Sequence, residues 1–372
     1  MKAFKSGVYI SQGSYKSFQP TELCRSWNID NMDVIKLLSK ADRQLGRLDM
    51  YSEYIDIEMF IQMHIAKEAT QSSKIEGTQT NMEEAFLNEV DIASDRRDDW
   101  EEVQNYILAM NEAVQLLHTL PFSARLIKQT HKVLLQGVRG QHKQPGEFRR
   151  SQNWIGGATI NDAIFVPPVH TSVADYISDL EKFANNDEFD IPDLIKVALI
   201  HYQFETVHPF LDGNGRVGRL LIALYLVSKG ILKQPILYLS DFFEKNRMYY
   251  YDNLMRVRTH NDMNQWLKFF LSGVIETAKK GVETFNAILL LQKYVDSALE
   301  KMGKRSSDAR LVMHHLYKKP IISVTTVTTI IGKTQQTAYT LVSDLEEAKI
   351  LKEITGLQRN KLYVFQDYID MF

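Results

Sequence analysis

The amino-acid sequence predicts a mostly α-helical protein with one β-hairpin and a small C-terminal winged helix-turn-helix domain. Apolar residues recur at helical spacing through most of the segment 31–302. The segment 146–168 is instead rich in Gly, Asn and β-forming residues, which favours two short strands around a turn at Asn161 and Asp162. Beyond a basic linker at 301–307, three helices precede two β-like runs, the order of a winged helix domain.

The predicted helices begin after residues 1–30, which show no clear period. A first helix covers 31–45, and a longer second helix runs from Tyr54 to Glu76, where Gly77 is a natural C-cap. Further helices are predicted at about 100–118, 123–136, 170–186, 193–204, 220–227, 243–258, 262–278 and 281–302.

The chain has 372 residues, enough for two or three domains with sizeable cores. We expect four parts along it. They are an N-terminal helical region at 1–100, a helical core at 101–300, the linker at 301–307 and a winged helix-like domain at 308–372.

Composition excludes several classes of protein. The formal net charge of −2 gives no global basic field that would attract nucleic acid or an anionic membrane. Cys24 is the only cysteine, so the chain can form neither an internal disulfide nor a multi-cysteine zinc site. The first residues lack the apolar stretch of a signal peptide, and no apolar run approaches the roughly 20 residues that span a bilayer. We therefore expect a cytoplasmic protein that does not enter a membrane.

The run HPFLDGNGRVGR, residues 208–219, contains the spacing G-x-G-x-x-G of a dinucleotide-binding turn. That fingerprint needs a preceding strand and an acidic residue about 20 positions later. Here the preceding segment 193–206 reads as a helix, and no acidic residue follows before Asp241. A Rossmann site is therefore rejected. A P-loop at Gly332-Lys-Thr334 is rejected as well, because Val327 stands where its first glycine is needed.

The remaining interpretation is a helix, a Gly/Asn-rich loop and a new helix. Backbone N–H groups that open a helix face any anion placed there. Gly213 and Gly215 allow close approach of the backbone, and Asn214 can add its side-chain amide. Arg216 and Arg219 are suited to charge-assisted bonds with phosphate oxygens.

Two further residues near this anion site could act as a metal ligand and a base. Asp212 would repel phosphate unless a hard cation bridges them, so Mg²⁺ is implied. His208 is of the residue type best suited to remove a proton near neutral pH. A base, a metal ligand and an anion site within twelve residues are typical of phosphoryl or nucleotidyl transfer to a hydroxyl.

This run resembles the Fic family signature HPFx[D/E]GNGRxxR at every specified position, and the resemblance covers about residues 50–300 in element order. It implies an all-helical Fic core with a β-hairpin flap, and transfer of AMP from ATP to a Ser, Thr or Tyr hydroxyl of a target protein or of the enzyme itself. His208 would then be the general base, Asp212 would hold Mg²⁺, and Arg219 would hold the γ-phosphate. The nucleotide-binding residues implied in this way are Glu76, Val207, Gly213, Asn214, Gly215, Arg216, Val217, Gly218, Arg219, Tyr250 and Tyr251.

A second match to the family lies upstream. The residues Ser72 to Gly77 fit the inhibitory pattern [S/T]xxxE[G/N], with Ser72, Glu76 and Gly77 as its regulatory positions. Glu76 would pair with Arg219, and Arg219 could then no longer hold the γ-phosphate, so the in-line geometry for transfer would be lost. The alternative is an exposed glutamate at a helix end.

Two other segments have predicted contacts. The flap at 154–168 could hold the target segment by strand addition, the alternative being a purely structural hairpin. Tyr250 and Tyr251 lie where the family places aromatic residues near the adenine, although an aromatic stripe at helical spacing is also typical of a core.

The C-terminal domain has a candidate recognition helix at 334–348 with three acidic residues and neither lysine nor arginine. DNA binding draws most of its affinity from neutralised phosphates, so we favour protein docking or dimerisation over DNA binding. Two alternative functions stay open. One is a nucleotide-sensing DNA-binding regulator, and the other is a Fic relative that removes AMP or transfers phosphate. Doc-like relatives that phosphorylate replace the second glycine by lysine, so the intact Gly215 favours AMP transfer.

Overall fold

The computed structural model of the chain describes residues 4–54, 56–137, 140, 142–188 and 190–372. The fold is mostly helical, as predicted. Its elements are β1 (Gly7–Ser11), β2 (Lys16–Pro20), α1 (Met32–Asp49), α2 (Tyr51–Tyr54), α3 (Ile57–Glu76), α4 (Arg97–Leu116), α5 (Ala124–Leu134), α6 (Val173–Asn185), α7 (Asp193–Val207), α8 (Asn214–Ser228), α9 (Ser240–Lys245), α10 (Arg247–His260), α11 (Met263–Glu300), α12 (Ser306–Lys318), β3 (Ile321–Ser323), α13 (Val324–Ile331), α14 (Gln335–Glu347), β4 (Lys352–Glu353), β5 (Leu362–Val364) and α15 (Gln366–Ile369). Among the described residues, no helix combines the length and the apolar character needed to cross a membrane.

Two helices form the centre of the fold. Almost every residue of α7 is buried, as are most residues of α8, so both helices are surrounded by the rest of the fold. Trp266 of α11 is fully buried and donates its indole N–H to the carbonyl oxygen of Ala198 at 2.9 Å, which ties α11 to α7. The loop between α7 and α8 therefore joins two buried helices.

Helix α3 ends where the sequence predicts. Gly77 adopts the left-handed conformation with φ 108°, and its N–H bonds to the carbonyl oxygen of Lys74. The N–H of Thr78 bonds to the carbonyl oxygen of Ser73 at 3.2 Å, which closes the last turn. The predicted end of this helix is confirmed, and Glu76 is its last residue.

The long helix α11 replaces the two helices predicted at 262–278 and 281–302. No proline interrupts the segment, and Gly281 lies inside the helix rather than at its end. A Cβ on Gly281 would stand 2.7 Å from a methyl carbon of Leu48, so this glycine allows α1 to pack closely against α11. The glycine serves packing, which is why the prediction of a break was wrong.

The N-terminal residues form an antiparallel hairpin, with β1 paired to β2 from Gly7 opposite Pro20 to Ser11 opposite Lys16. This hairpin was not predicted, because the apolar residues of β1 do not alternate between two faces. Val8, Tyr9 and Ile10 are all exposed.

The flap differs from the two predicted strands. A single bridge joins Ile155 to Phe165, and a short 3₁₀ helix occupies Ile160–Asp162. The reason is local. Gly156 and Gly157 follow the bridge with φ angles of 68° and 75°, which turn the backbone out of the β conformation. The flap is therefore a loop pinned by one bridge.

The C-terminal segment contains a helix, a strand, two helices and two strands in that order, and its antiparallel sheet has the order β3–β5–β4. The predicted recognition helix is α14, capped by the side chain of Thr334. This segment packs on α3, because the ring of Phe60 lies 5.3 Å from that of Tyr317 and 6.3 Å from that of Tyr368. A short 3₁₀ helix lies within the predicted linker, and the domain boundaries stay predictions.

Candidate active site

The loop between α7 and α8 begins and ends with left-handed residues. His208 ends α7 with φ 49° and ψ 61°, and Gly213 precedes α8 with φ 74°. A glycine adopts such angles freely, whereas a residue with a side chain is uncommon there and has to be held by its surroundings. The loop thus reverses the chain in six residues and presents His208 beside the start of α8.

Asn214 braces the loop from inside. Its Oδ1 accepts the N–H of Phe210 at 2.8 Å, and its Nδ2 donates to the carbonyl oxygen of Phe210 at 2.9 Å. One N–H of the side-chain amide is thus committed to the loop. The backbone N–H at this position, at the start of α8, has no partner within the helix.

His131 of α5 supports the loop from below. Its Nδ1 accepts the N–H of Gly146 at 2.8 Å, so Nε2 carries the proton and donates to the carbonyl oxygen of Asp212 at 3.0 Å. The imidazole stacks on Phe210 with ring centroids 3.6 Å apart. Burial lowers the pKa of His131 to about 4, so the ring stays neutral and keeps this pair of bonds. No motif in the sequence predicts this contact.

A cavity of about 390 Å³ opens between this loop and the end of α3. Its lining brings together most of the predicted site: Glu76, Gly77, Thr78, Glu102, His208, Leu211, Asp212, Gly213, Asn214, Gly215 and Arg216. The first N–H groups of α8 have no partner within the helix and meet this cavity at its floor. The cavity therefore joins an anion-binding helix end to the predicted base and the predicted metal ligand.

Asp212 is about half exposed, and its Oδ1 accepts the N–H of Gly213 at 2.6 Å. No cluster of three or more His, Cys, Asp or Glu side chains that could hold a metal is found in the described part of the chain. Mg²⁺ in phosphate sites is held by one or two carboxylates together with the phosphates themselves. A single accessible carboxylate beside an anion site fits that mode of binding.

Arg219 lies deeper, under α3, with its side chain only 1% exposed. Its Nε donates to Oγ of Ser72 at 2.8 Å, and its Nη2 donates to the carbonyl oxygen of Ser72 at 2.9 Å. The same Nη2 lies 2.6 Å from Oε1 of Glu76. Burial alone would raise the pKa of Glu76, but Arg219 outweighs burial and holds that pKa below its usual value. Glu76 is therefore an ionised partner of Arg219.

The carboxylate of Glu76 also lies against the start of α8. A Cβ on Gly215 would collide with it, so this position has room only for glycine while Glu76 is in place. An internal anion thus occupies part of the space beside the helix N-terminus.

Arg216 is engaged by another helix. Its Nη1 lies 3.0 Å from Oε2 of Glu102 on α4, and both side chains are almost fully buried. The Nη2 atom of Arg216 lies 4.0 Å from Oδ1 of Asp212. Glu102 belongs to an acidic and basic cluster in the sequence, and nothing in that cluster distinguishes it as the partner. Arg216 therefore secures α8 to α4 as well as lining the cavity.

His208 lines the cavity with a half-buried ring whose Nδ1 has no hydrogen-bond partner among the described residues. Burial lowers the pKa of His208 to about 3, and the charges of Arg258 and Arg149 act in the same direction. The imidazole is therefore neutral at physiological pH, the form that accepts a proton.

Comparison with known proteins gives the site its family. Residues 35–115 match the Fic/DOC family N-terminal model, and residues 121–226 match the Fic/DOC family model, together about half of the chain. The chain belongs to the Fic/DOC family. Similar solved structures include a Fic family protein from Desulfovibrio desulfuricans, with a TM-score of 0.59 and 17% identity, which covers 92% of this chain and 98% of that one. Another is a Fic domain containing signaling protein from Bacteroides thetaiotaomicron, with a TM-score of 0.51 and 18% identity, which covers 68% of this chain and 96% of that one. These likenesses establish the fold.

Curated relatives carry the name protein adenylyltransferase Fic. The protein of Aedes aegypti is 26% identical over 175 residues, 44% of this chain and 31% of that protein. The protein of Drosophila mojavensis is 26% identical over 255 residues, 64% of this chain and 46% of that protein. The chain thus spans between about a third and a half of these relatives' lengths.

Within the Fic core, several residues predicted to contact nucleotide lie away from the cavity. Val207 and Val217 are fully buried, and Gly218 packs against Glu205 and Phe204, where a Cβ would collide. These three residues therefore serve the packing of α7 on α8.

Of the two predicted adenine contacts, Tyr250 lies in the core. It is 1% exposed, and its hydroxyl donates to Nε2 of His201 at 2.9 Å, because Nδ1 of that histidine donates to the carbonyl oxygen of Gly218. Its neighbour Tyr251 is 40% exposed. Tyr250 therefore packs in the core, the alternative that an aromatic stripe at helical spacing also allows.

Proposed function

We propose that the chain is a protein adenylyltransferase that transfers AMP from ATP to a Ser, Thr or Tyr hydroxyl of a target protein, and to itself, and that Glu76 inhibits it. The observation that carries the proposal is the juxtaposition at the start of α8. A neutral histidine and a half-exposed aspartate flank a glycine-rich anion site, and the arginine next to it is held by a carboxylate.

The reaction follows from these positions. The triphosphate lies against the N–H groups that open α8, and a hydroxyl enters beside His208. His208 takes the proton as the hydroxyl oxygen bonds to the α-phosphorus. The bond between the α-phosphorus and the oxygen that bridges to the β-phosphate breaks, and pyrophosphate leaves with that electron pair. AMP remains on the target, and the enzyme's imidazole carries the proton.

Asp212 would hold Mg²⁺, which, when bound, neutralises phosphate charge. Two hydrogen bonds hold Asp212 in place. Its Oδ1 accepts the N–H of Gly213, and its backbone carbonyl oxygen accepts the Nε2–H of His131. Both contacts are made by the protein alone, so the ligand is positioned before any nucleotide binds.

Inhibition has an equally direct cause. Glu76 takes up Nη2 of Arg219, the group that would otherwise meet the γ-phosphate, and it stands against Gly215. A triphosphate would have to place its negative charge beside this carboxylate. It would bind weakly, or bind with its α-phosphate turned away from the hydroxyl.

The flap is the proposed holder of the target. Two of its large side chains, Trp154 and Ile164, are 41% and 69% exposed. Only one bridge closes the flap, and we propose that an extended target segment adds beside it by strand pairing. Such pairing would align a target hydroxyl with His208. The names of the curated relatives and the presence of glycine at position 215 favour AMP rather than phosphate as the transferred group.

The test uses the Glu76→Gly variant with ATP labelled at one of two positions. An α-phosphate label should become protein-bound, and a γ-phosphate label should not. The double variant Glu76→Gly/His208→Ala should incorporate neither label. Incorporation of the γ-label would replace the proposal by a kinase activity, and absence of both labels from all proteins of a lysate would refute transfer to protein.

A further inference from the structure

Arg149 is a buried arginine that stands at the base of the flap and has no role in the reaction described above. It is 2% exposed, and no carboxylate pairs with it among the described residues. Its guanidinium donates only to backbone carbonyl oxygens. A buried cation of this kind needs several acceptors to offset its lost hydration.

The first two acceptors lie at the end of α7. Nε of Arg149 donates to the carbonyl oxygen of His208 at 2.9 Å, and Nη2 donates to that of Val207 at 3.3 Å. Carbonyl groups at a helix C-terminus lack partners within the helix and carry partial negative charge. Arg149 therefore caps α7 at the residue that bears the proposed base.

The other two acceptors lie just before the flap and at its last residue. Nη1 donates to the carbonyl oxygen of Ser151 at 3.2 Å, and Nη2 donates to that of Pro168 at 2.5 Å. The backbone N–H of Arg149 bonds to the carbonyl oxygen of Pro209 at 2.9 Å. The side chain of Arg149 thus joins the two legs of the flap to Val207 and His208, and its backbone N–H adds Pro209.

We propose that Arg149 is the positioning residue that sets His208 and the flap at a fixed distance from each other, so that a hydroxyl held by the flap meets the base. This inference rests on the proposed function. The left-handed backbone of His208 has to be held from outside, and the largest share of the bonds to its carbonyl and its neighbours' carbonyls comes from this guanidinium. Asn153 adds a bond of 3.2 Å to the same carbonyl oxygen.

The position calls for arginine rather than lysine. Four acceptors in different directions match the planar fork of five N–H donors, whereas a lysine offers three donors at a single point. Arg149 contacts neither Gly213–Gly215 nor Arg219. Its loss should therefore disturb transfer to the target without weakening the binding of ATP.

The experiment compares Arg149→Lys and Arg149→Met, both in the Glu76→Gly background, with Arg150→Lys as a matched control, because Arg150 is the next residue and is exposed. For Arg149→Met we expect kcat for AMP transfer to fall by about 100-fold, the size of effect that a small misplacement of reacting groups produces. Arg149→Lys should lose about tenfold, and Arg150→Lys should match its parent. The Kd for ATP should stay within about twofold in all three variants. Parallel loss of ATP binding and kcat would assign Arg149 a merely structural role, and unchanged kcat in both Arg149 variants would overturn the proposal.

A second measurement does not depend on activity. The imidazole resonances of His208, assigned by comparison with His208→Ala, should shift in Arg149→Lys and stay in place in Arg150→Lys. If the Glu76→Gly parent transfers no AMP, the proposed function fails, and this shift alone decides whether Arg149 positions His208. Identical resonances in the parent and Arg149→Lys would refute the positioning role.

Discussion

The two ends of the nucleotide site proposed at the start of α8 are built in opposite ways. At one end, His208 and Asp212 are partly exposed and supported from behind by backbone contacts. At the other end, Arg219 is 1% exposed and held by Ser72 and Glu76 of α3. The groups for the chemistry are thus open while the group proposed to hold the γ-phosphate is closed. We infer that α3 controls whether the nucleotide is held productively, and that the reacting end needs no rearrangement.

Removal of the proposed base, His208, should have the largest effect on the rate of AMP transfer. We expect His208→Ala in the Glu76→Gly background to lower the rate of AMP transfer by about 10²- to 10⁴-fold, the usual contribution of a general base. His260→Ala, an exposed histidine on α10, serves as the control. Initial rates with α-labelled ATP give the comparison, and a loss smaller than tenfold would mean that His208 is not the base.

The ion pair between Arg216 and Glu102 lies between the two ends and tests the scaffold. Replacing Glu102 by Gln leaves Arg216 buried without its carboxylate, which should lower the free energy of unfolding by about 3–5 kcal/mol. Glu112→Gln, exposed on the same helix, should change it by less than about 0.5 kcal/mol. Urea denaturation provides the measurement. Equal midpoints for the two variants would show that the pair contributes nothing to stability.

Removal of one hydrogen bond between α3 and Arg219 should raise the rate of AMP transfer by a small factor. Ser72→Ala removes the acceptor of Nε of Arg219 but leaves Glu76 in place, so we expect AMP transfer to rise by about 2- to 10-fold, the worth of one hydrogen bond. Ser73 is the matched control, because it is also fully buried and its hydroxyl has no partner among the described residues. A faster Ser73→Ala and an unchanged Ser72→Ala would contradict the assigned role of Ser72.

The smallest expected effect is that of pH on the rate of AMP transfer, through the protonation of His208. Burial lowers the pKa of His208 to about 3, so the neutral form persists as pH falls through 6.5, and the base is lost only as pH approaches the lowered pKa. The rate of the Glu76→Gly variant should therefore show no inflection between pH 8 and pH 6. A rate that halves near pH 6.5 would indicate a histidine with its ordinary pKa.

Much of this site is encoded in short stretches of sequence. The loop 208–219 and the end of α3 were predicted because helix ends, glycines and charged residues act on their near neighbours in the chain. His131, Glu102 and Arg149 were not predicted, because each reaches the loop from a distant part of the chain and has no local pattern of its own.

In the fold, too, local patterns were predicted and contacts between distant parts of the chain were not. Helices were predicted wherever apolar residues recur at helical spacing, but the segments 262–278 and 281–302 form one helix, in which Gly281 packs against Leu48, more than 200 positions away. Tyr250 was expected near the adenine from the family resemblance, and three consecutive tyrosines do not reveal which of them faces the core. Both differences concern burial, which depends on the packing of whole helices.

The central claim, that α3 closes the nucleotide end through Glu76, is tested most directly by the initial rate of AMP transfer from α-labelled ATP. The wild-type chain, Glu76→Gly and the control Glu58→Gly, an exposed glutamate in the first turn of the same helix, are compared at equal concentrations. We predict that Glu76→Gly is faster than the wild type by about 5- to 150-fold, the usual range of coupling between two sites, and that Glu58→Gly equals the wild type. Equal rates for the wild type and Glu76→Gly would contradict the account.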